Sequence, residues 1–133
     1  PGKLSQEEYE VFKMHPAHGR DILEPISFLH PLIPGVHLHH ERWDGLGYPL
    51  GLKAQDIPLI ARIISVADTF DAMTTNRPYQ RAMDPDFAVS RIYTFSGTRY
   101  DPVVVKALDD SLKAGRLNEV LRGYQERLEA GKQ

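Results

Sequence analysis

The chain has 133 residues, 41% of them hydrophobic and 26% charged, enough apolar surface for the core of one globular unit. Sixteen Lys and Arg against 18 Asp and Glu leave a formal net charge of -2, which excludes the global positive field that draws proteins to DNA or anionic lipid. With no cysteine, disulfides, zinc-thiolate sites and thiol nucleophiles are excluded, and no apolar run approaches the roughly 20 residues that cross a bilayer.

In chain order, Ser5 followed by Gln6, Glu7 and Glu8 forms a capping box, and Tyr9 and Phe12 supply a stripe, so a helix is predicted from Ser5 to Met14. His15-Pro16 ends it. A second helix is expected from Pro16 to Leu23, with Ile22, Leu23 and Ile26 as its core contacts, before Pro25, Pro31 and Pro34 punctuate the chain. The string PGVHLHHER, from Pro34, reads as a short helix whose end carries His39 and His40. Gly45, Gly47, Pro49 and Gly51 then impose an irregular loop over 43–56. Pro58 opens the strongest helix, PLIARIISVADTFDAMT, with Ile60, Ile63, Ile64, Ala67, Phe70 and Met73 on its buried side. Asp84-Pro85 and Asp101-Pro102 are two further cap-plus-proline helix starts, and RLNEVLRGYQERLEA is an amphipathic C-terminal helix. No alternating strand of convincing length is found. The fold class is therefore all-α.

The chemistry concentrates in six histidines and the loop that follows two of them. Without thiolates, a metal must be held by imidazole and carboxylate, an N/O set that suits iron, manganese and similar ions. Adjacent helical residues point about 100° apart, so His39 and His40 can share a centre only from a helix end or by flanking two ions. Asp68 is the candidate carboxylate, lying in the apolar string IISVADTFDA where a charge demands a partner, which is either a metal or an arginine such as Arg62 or Arg77. Trp43 and Tyr48 serve either as stacking faces for a nucleobase or as packing anchors, and Asp44-Gly45 is a turn candidate.

The string HHERWDGLGYP at 39–49, preceded by His15-Pro16 and followed by ARIISVADTFDAMTTNRPYQRAM and SGTRYDP, resembles the HD-GYP domain of bacterial signalling proteins. The resemblance implies an HD-type helical bundle of about five to seven helices, with the domain over 1–108 and a helical extension over 109–133. It implies a metal-dependent phosphodiesterase that opens cyclic di-GMP to pGpG or GMP with two or three divalent ions, iron or manganese, in the bacterial cytoplasm. By position it implies His15, His39, His40 and Asp68 as metal ligands, with Asp68, His39 and His40 at the catalytic centre. Asp71 is implied as a supporting residue, Arg77 and Arg81 as phosphate contacts, and Gly47, Tyr48 and Pro49 as the GYP rim. It also implies contacts to GGDEF-type signalling domains through the GYP loop.

The sequence departs from the family in two places. No His is followed by Asp anywhere in the chain, so the doublet that names the family is expected upstream of Pro1, together with helices that would pack on the faces at 5–14 and 58–75. Without them the isolated chain is expected to be inactive or weak and to associate with copies of itself. Gln80 also stands where many members carry a basic residue after RPY. Two other readings follow: a catalytically incomplete interaction module, and an HD-type hydrolase of another nucleotide.

Overall fold

The computed structural model describes residues 5–76 and 81–123, which form six α-helices up to Lys113, two 3-10 turns and a further helical stretch over 118–123. Among these residues there is no strand, only an isolated bridge between Ser96 and Tyr100. The all-α expectation holds.

Helix α1 (Gln6–Phe12) starts at the predicted capping box: Ser5 Oγ accepts from the Glu8 backbone N–H at 3.2 Å, and a Glu8 carboxylate oxygen accepts from the Ser5 N–H at 2.7 Å. It stops at Phe12 rather than Met14 and buries no residue. Helix α2 (His15–Leu23) begins one residue earlier than expected. Ile22 and Ile26 are exposed, so they are not the core contacts the periodicity suggested. The packed face of α2 runs through the buried Pro16 and through Gly19, where a Cβ would sit 2.6 Å from Val36 Cγ1, and Ile22 is turned off that face. A 3-10 segment over Ser27–Leu32 leads into α3 (Ile33–Leu38). Gly35 admits α4 closely: a Cβ there would sit 2.6 Å from Ile64 Cδ1.

The irregular loop is as predicted, apart from a 3-10 turn at Ala54–Asp56. Helix α4 (Leu59–Thr74) is the axis of the molecule, and Pro58 is its N-cap. The expected single stripe along α4 is only partly right, because Ile63 is 48% exposed and Ala67 is also exposed, whereas Val66 is buried. The helix changes partners along its length. Ala61 closes a small cluster with Leu38 and Ile57, and one turn later Val66 and Phe70 join a larger cluster with Ala88, Val89, Ile92, Tyr100, Val104 and Val105.

That larger cluster is completed by α5 (Pro85–Tyr93) and α6 (Pro102–Lys113), each started by the predicted aspartate. Asp84 accepts from the N–H groups of Asp86 and Phe87, and Asp101 from that of Val103 at 2.8 Å. Asp101 also takes a 2.6 Å ion pair from Arg62, which joins α4 to the α6 cap in the interior. Arg62 is therefore not the partner of Asp68. Leu117 and Leu121 pack on the same cluster, and the C-terminal helix, predicted from Arg116, is helical over 118–123 after a turn at 114–117, the rest of the prediction lying outside the described residues. No described helix is long and apolar enough to cross a membrane.

Candidate metal centre

Two helix ends bring three imidazoles together. His15 is the first residue of α2, His39 is the C-cap of α3, and His40 follows as the chain leaves the helix. One ring nitrogen from each lies within 4.8 Å of the others, the only such group of three His or acidic residues among those described. The adjacency problem of His39 and His40 is solved at the helix terminus: their ring centroids are 4.1 Å apart at a 42° tilt.

The tautomers are set by main-chain carbonyls. His15 Nδ1 donates to the Phe12 carbonyl and His39 Nδ1 to that of Val36, each at 2.8 Å, which makes Nε2 the acceptor atom of each ring, with that of His39 unengaged by any described hydrogen bond. His40 Nε2 stands 3.1 Å from His15 Nε2. Burial, reinforced by His39, His15 and Arg99, holds the His40 imidazole down to about pKa 4, so it is neutral at physiological pH and its lone pair is available to a cation. This donor set fits a borderline divalent ion.

The loop is built around these rings. Tyr48 stacks on His40 with centroids 4.8 Å apart and planes 22° apart, and its N–H donates to the His40 carbonyl at 3.2 Å. Burial pushes the Tyr48 phenol up to about 12. Gly47 is required by close approach, since a Cβ there would meet the Arg42 nitrogen at 2.3 Å and the His40 carbonyl oxygen at 2.6 Å. Tyr48-Pro49 is a cis peptide. Tyr48 is thus a packing anchor on a candidate ligand.

Glu41, which sequence reasoning missed, holds the return of the loop. It is 3% exposed, and its carboxylate accepts from the N–H groups of Leu50, Gly51 and Leu52 at 2.6, 3.1 and 3.0 Å. Its position directly after the His doublet was the available signal. Asp44 is indeed a turn residue: it takes a two-point grip from Arg42 at 3.0 and 2.5 Å, which holds its carboxyl down to about 2, and it accepts from the Leu46 N–H. The loop is fastened to the SGTRYDP segment, Trp43 N–H donating to the Arg99 carbonyl at 3.2 Å and Asp44 N–H to that of Thr98 at 2.8 Å.

Asp68 is not in a buried setting as the apolar string suggested; it is exposed on α4. It lines a polar cleft of about 60 Å³ together with His39, His40, Ser65, Thr69 and Arg99, yet lies outside the tight imidazole group. Asp71 accepts from the Thr75 hydroxyl and lines a different, mostly apolar cavity of about 310 Å³ beside Phe70, Met83 and Leu121. Arg81 is exposed and lines neither cavity, and Arg77 lies outside the described residues.

Comparison with known proteins is decisive at this point. A family model described as HD domain matches residues 1–104. The chain belongs to the HD-domain family. The HD-GYP resemblance carried by the loop agrees with its relatives. A cyclic di-GMP phosphodiesterase of Thermotoga maritima is 45% identical over 111 residues, covering 80% of this chain and 30% of that protein. The cyclic di-GMP phosphodiesterase response regulator RpfG of Xanthomonas campestris is 44% identical over 110 residues, covering 81% and 29%. The 3'3'-cGAMP-specific phosphodiesterase 3 of Vibrio cholerae is 38% identical over 112 residues, covering 84% and 24%. The solved structure of a cyclic GMP-AMP specific phosphodiesterase of V. cholerae shares the HD-type fold, with a TM-score of 0.73 at 24% identity over 89% of this chain and 27% of that one. This HD-domain chain spans about 30% of the length of the first two relatives.

Proposed function

We propose that this chain is the metal-binding part of a phosphodiesterase that hydrolyses cyclic di-GMP to pGpG or GMP in bacterial second-messenger signalling. The observation that carries the reading is the gathering of His15, from α2, with His39 and His40, from HHERWDGLGYP, within 4.8 Å, with Asp68 lining the adjoining cleft. The names of the relatives supply the substrate class.

Within this reading His15, His39, His40 and Asp68 hold divalent iron or manganese, two or three ions in the whole protein. Such ions, when bound, neutralise phosphodiester charge and make a water acidic enough to attack at neutral pH. The chain's own residues do the positioning. The Phe12 and Val36 carbonyls present Nε2 of His15 and His39, and Tyr48 and Glu41 hold His40 and the loop against each other. On the substrate side the reading assigns Gly47, Tyr48 and Pro49 to the rim, Arg77 and Arg81 to phosphate, and Asp71 to support. It divides the chain into the domain portion, 1–108, and an extension, 109–133, although α6 runs through that boundary without a break.

Three imidazoles and one carboxylate do not enclose two ions, so the chain alone is expected to bind metal and turn over slowly. The test is hydrolysis of cyclic di-GMP by the purified chain, and by a longer protein carrying the His-Asp doublet, with manganese or ferrous iron. Fast turnover by the longer protein supports the reading, and failure of both with any divalent ion overturns it. Including 3'3'-cGAMP separates the runner-up substrate, which other relatives are named for.

A second reading, an interaction module for GGDEF-type domains or for a second copy, is favoured by one observation. Tyr9, Val11, Phe12, Met14, Ile22 and Phe28 are exposed on the N-terminal helices, a surface that soluble proteins cover. A compact monomer by light scattering would argue against self-association.

A further inference from the structure

We infer that Arg99 is a phosphate-gripping residue of the cleft beside the imidazole cluster, taking a non-bridging oxygen of a phosphodiester as the substrate reaches His39 and His40. The inference rests on the phosphodiesterase reading for its substrate and on the cleft itself for its geometry.

The cleft, about 60 Å³, is far smaller than the roughly 300–1,000 Å³ of pockets that enclose a whole small ligand, so it admits one polar group of a larger molecule. Two of its lining residues are arginines, and they differ in commitment. Arg42 spends its guanidinium on both oxygens of Asp44. Arg99 makes no ion pair among the described residues, not even with Asp68 in the same cleft.

Arg99 is also well placed for an exposed side chain. Its N–H donates to the Phe95 carbonyl at 2.9 Å, and its own carbonyl accepts from Trp43, so its backbone is tied to the loop that carries the doublet. Its guanidinium lies 5.9 Å from the centroid of the Tyr100 ring, whose hydroxyl is 2.9 Å from Thr69 Oγ1 in the cleft. A guanidinium is charged at every working pH, and its fork of N–H groups matches two phosphate oxygens, so an unpaired one beside candidate metal ligands suits an anion that bridges the two.

The test uses inorganic phosphate as the probe. Binding to the manganese-loaded chain is read by phosphorus relaxation for the unaltered protein, Arg99→Ala and Arg99→Lys, with manganese affinity measured separately by electron paramagnetic resonance. Arg99→Ala is expected to weaken phosphate binding about 10- to 100-fold at unchanged manganese affinity, and Arg99→Lys to recover part of it. No phosphate binding by the unaltered chain, or equal binding by Arg99→Ala, overturns the inference. Cyclic di-GMP hydrolysis by the longer protein is followed in parallel. Phosphate held through Arg99 without cleavage supports the inference and removes the phosphodiesterase reading, whereas cleavage with a KM untouched by Arg99→Ala does the reverse.

Discussion

From Val66 to Val105, eight buried side chains of α4, α5, α6 and the turn before α6 close on one another, whereas α1, α2 and α3 bury only Pro16, Gly35 and Leu38. Yet the imidazoles come from the poorly buried side. The α4–α6 half is held by apolar area, worth roughly 25 cal/mol per Å² removed from water. The other half is held by directed contacts: the Glu41 carboxylate on three N–H groups, Tyr48 on His40, and the loop's main-chain bonds to Thr98 and Arg99. A metal-binding constellation profits from the second kind of support, because hydrogen bonds fix ring orientation while apolar contacts fix only proximity.

This contrast can be broken most severely where the halves meet. Arg62→Met should leave Asp101 as an unpaired interior carboxylate and cost about 3–5 kcal/mol in denaturant unfolding. A cost under about 1 kcal/mol would mean that its bond to the Val103 N–H suffices for Asp101. Next, Ile92→Ala, at a fully buried site, should cost about 2–5 kcal/mol, while Ile22→Ala, at a position 70% exposed, should stay within about 0.5 kcal/mol. Equal effects in thermal melts would erase the distinction between the halves.

Glu41→Gln should cost about 1–3 kcal/mol, since an amide nitrogen would face the Leu52 N–H, which needs an acceptor. Its signature is local: the ring resonances of His40 and Tyr48 should shift in NMR while those of Ile92 do not. The smallest effect concerns pH. Asp44 titrates near 2 in the folded loop against an ordinary 3.8, so its contribution is present above 3.8 and is lost as pH falls through 2. Asp44→Asn should flatten that part of the acid limb, with a small stability deficit that is fully present above pH 4 and disappears toward pH 2, checked by melting curves across pH 2–6.

Much of the fold was legible because local signals carried it. The Asp-Pro pairs at 84–85 and 101–102, the capping box at Ser5 and the glycines of the loop act over three or four residues, and each appears where expected. What failed was long-range. A single buried stripe was drawn along α4, but the helix serves Ala61's cluster and then Val66's, so Ile63 and Ala67 fall outside. In the site, His15, His39 and His40 were found through their motif, and the structure brings them together. The burial of Asp68 was misjudged because apolar neighbours in sequence are not neighbours in space. Glu41 and Arg99 were passed over because their roles depend on a loop that closes only when the chain folds.

The hydrogen bond from His15 to the Phe12 carbonyl has a further consequence. In an unbroken helix that carbonyl would be claimed by the N–H four residues on, and residue 16 is a proline, which has none. The ring that follows inherits the vacant acceptor and with it a fixed tautomer. Pro16→Ala, a change that ordinary helix propensity would favour, would therefore set the backbone in competition with the imidazole for one oxygen. A gain in helix regularity here would be a loss in ligand readiness.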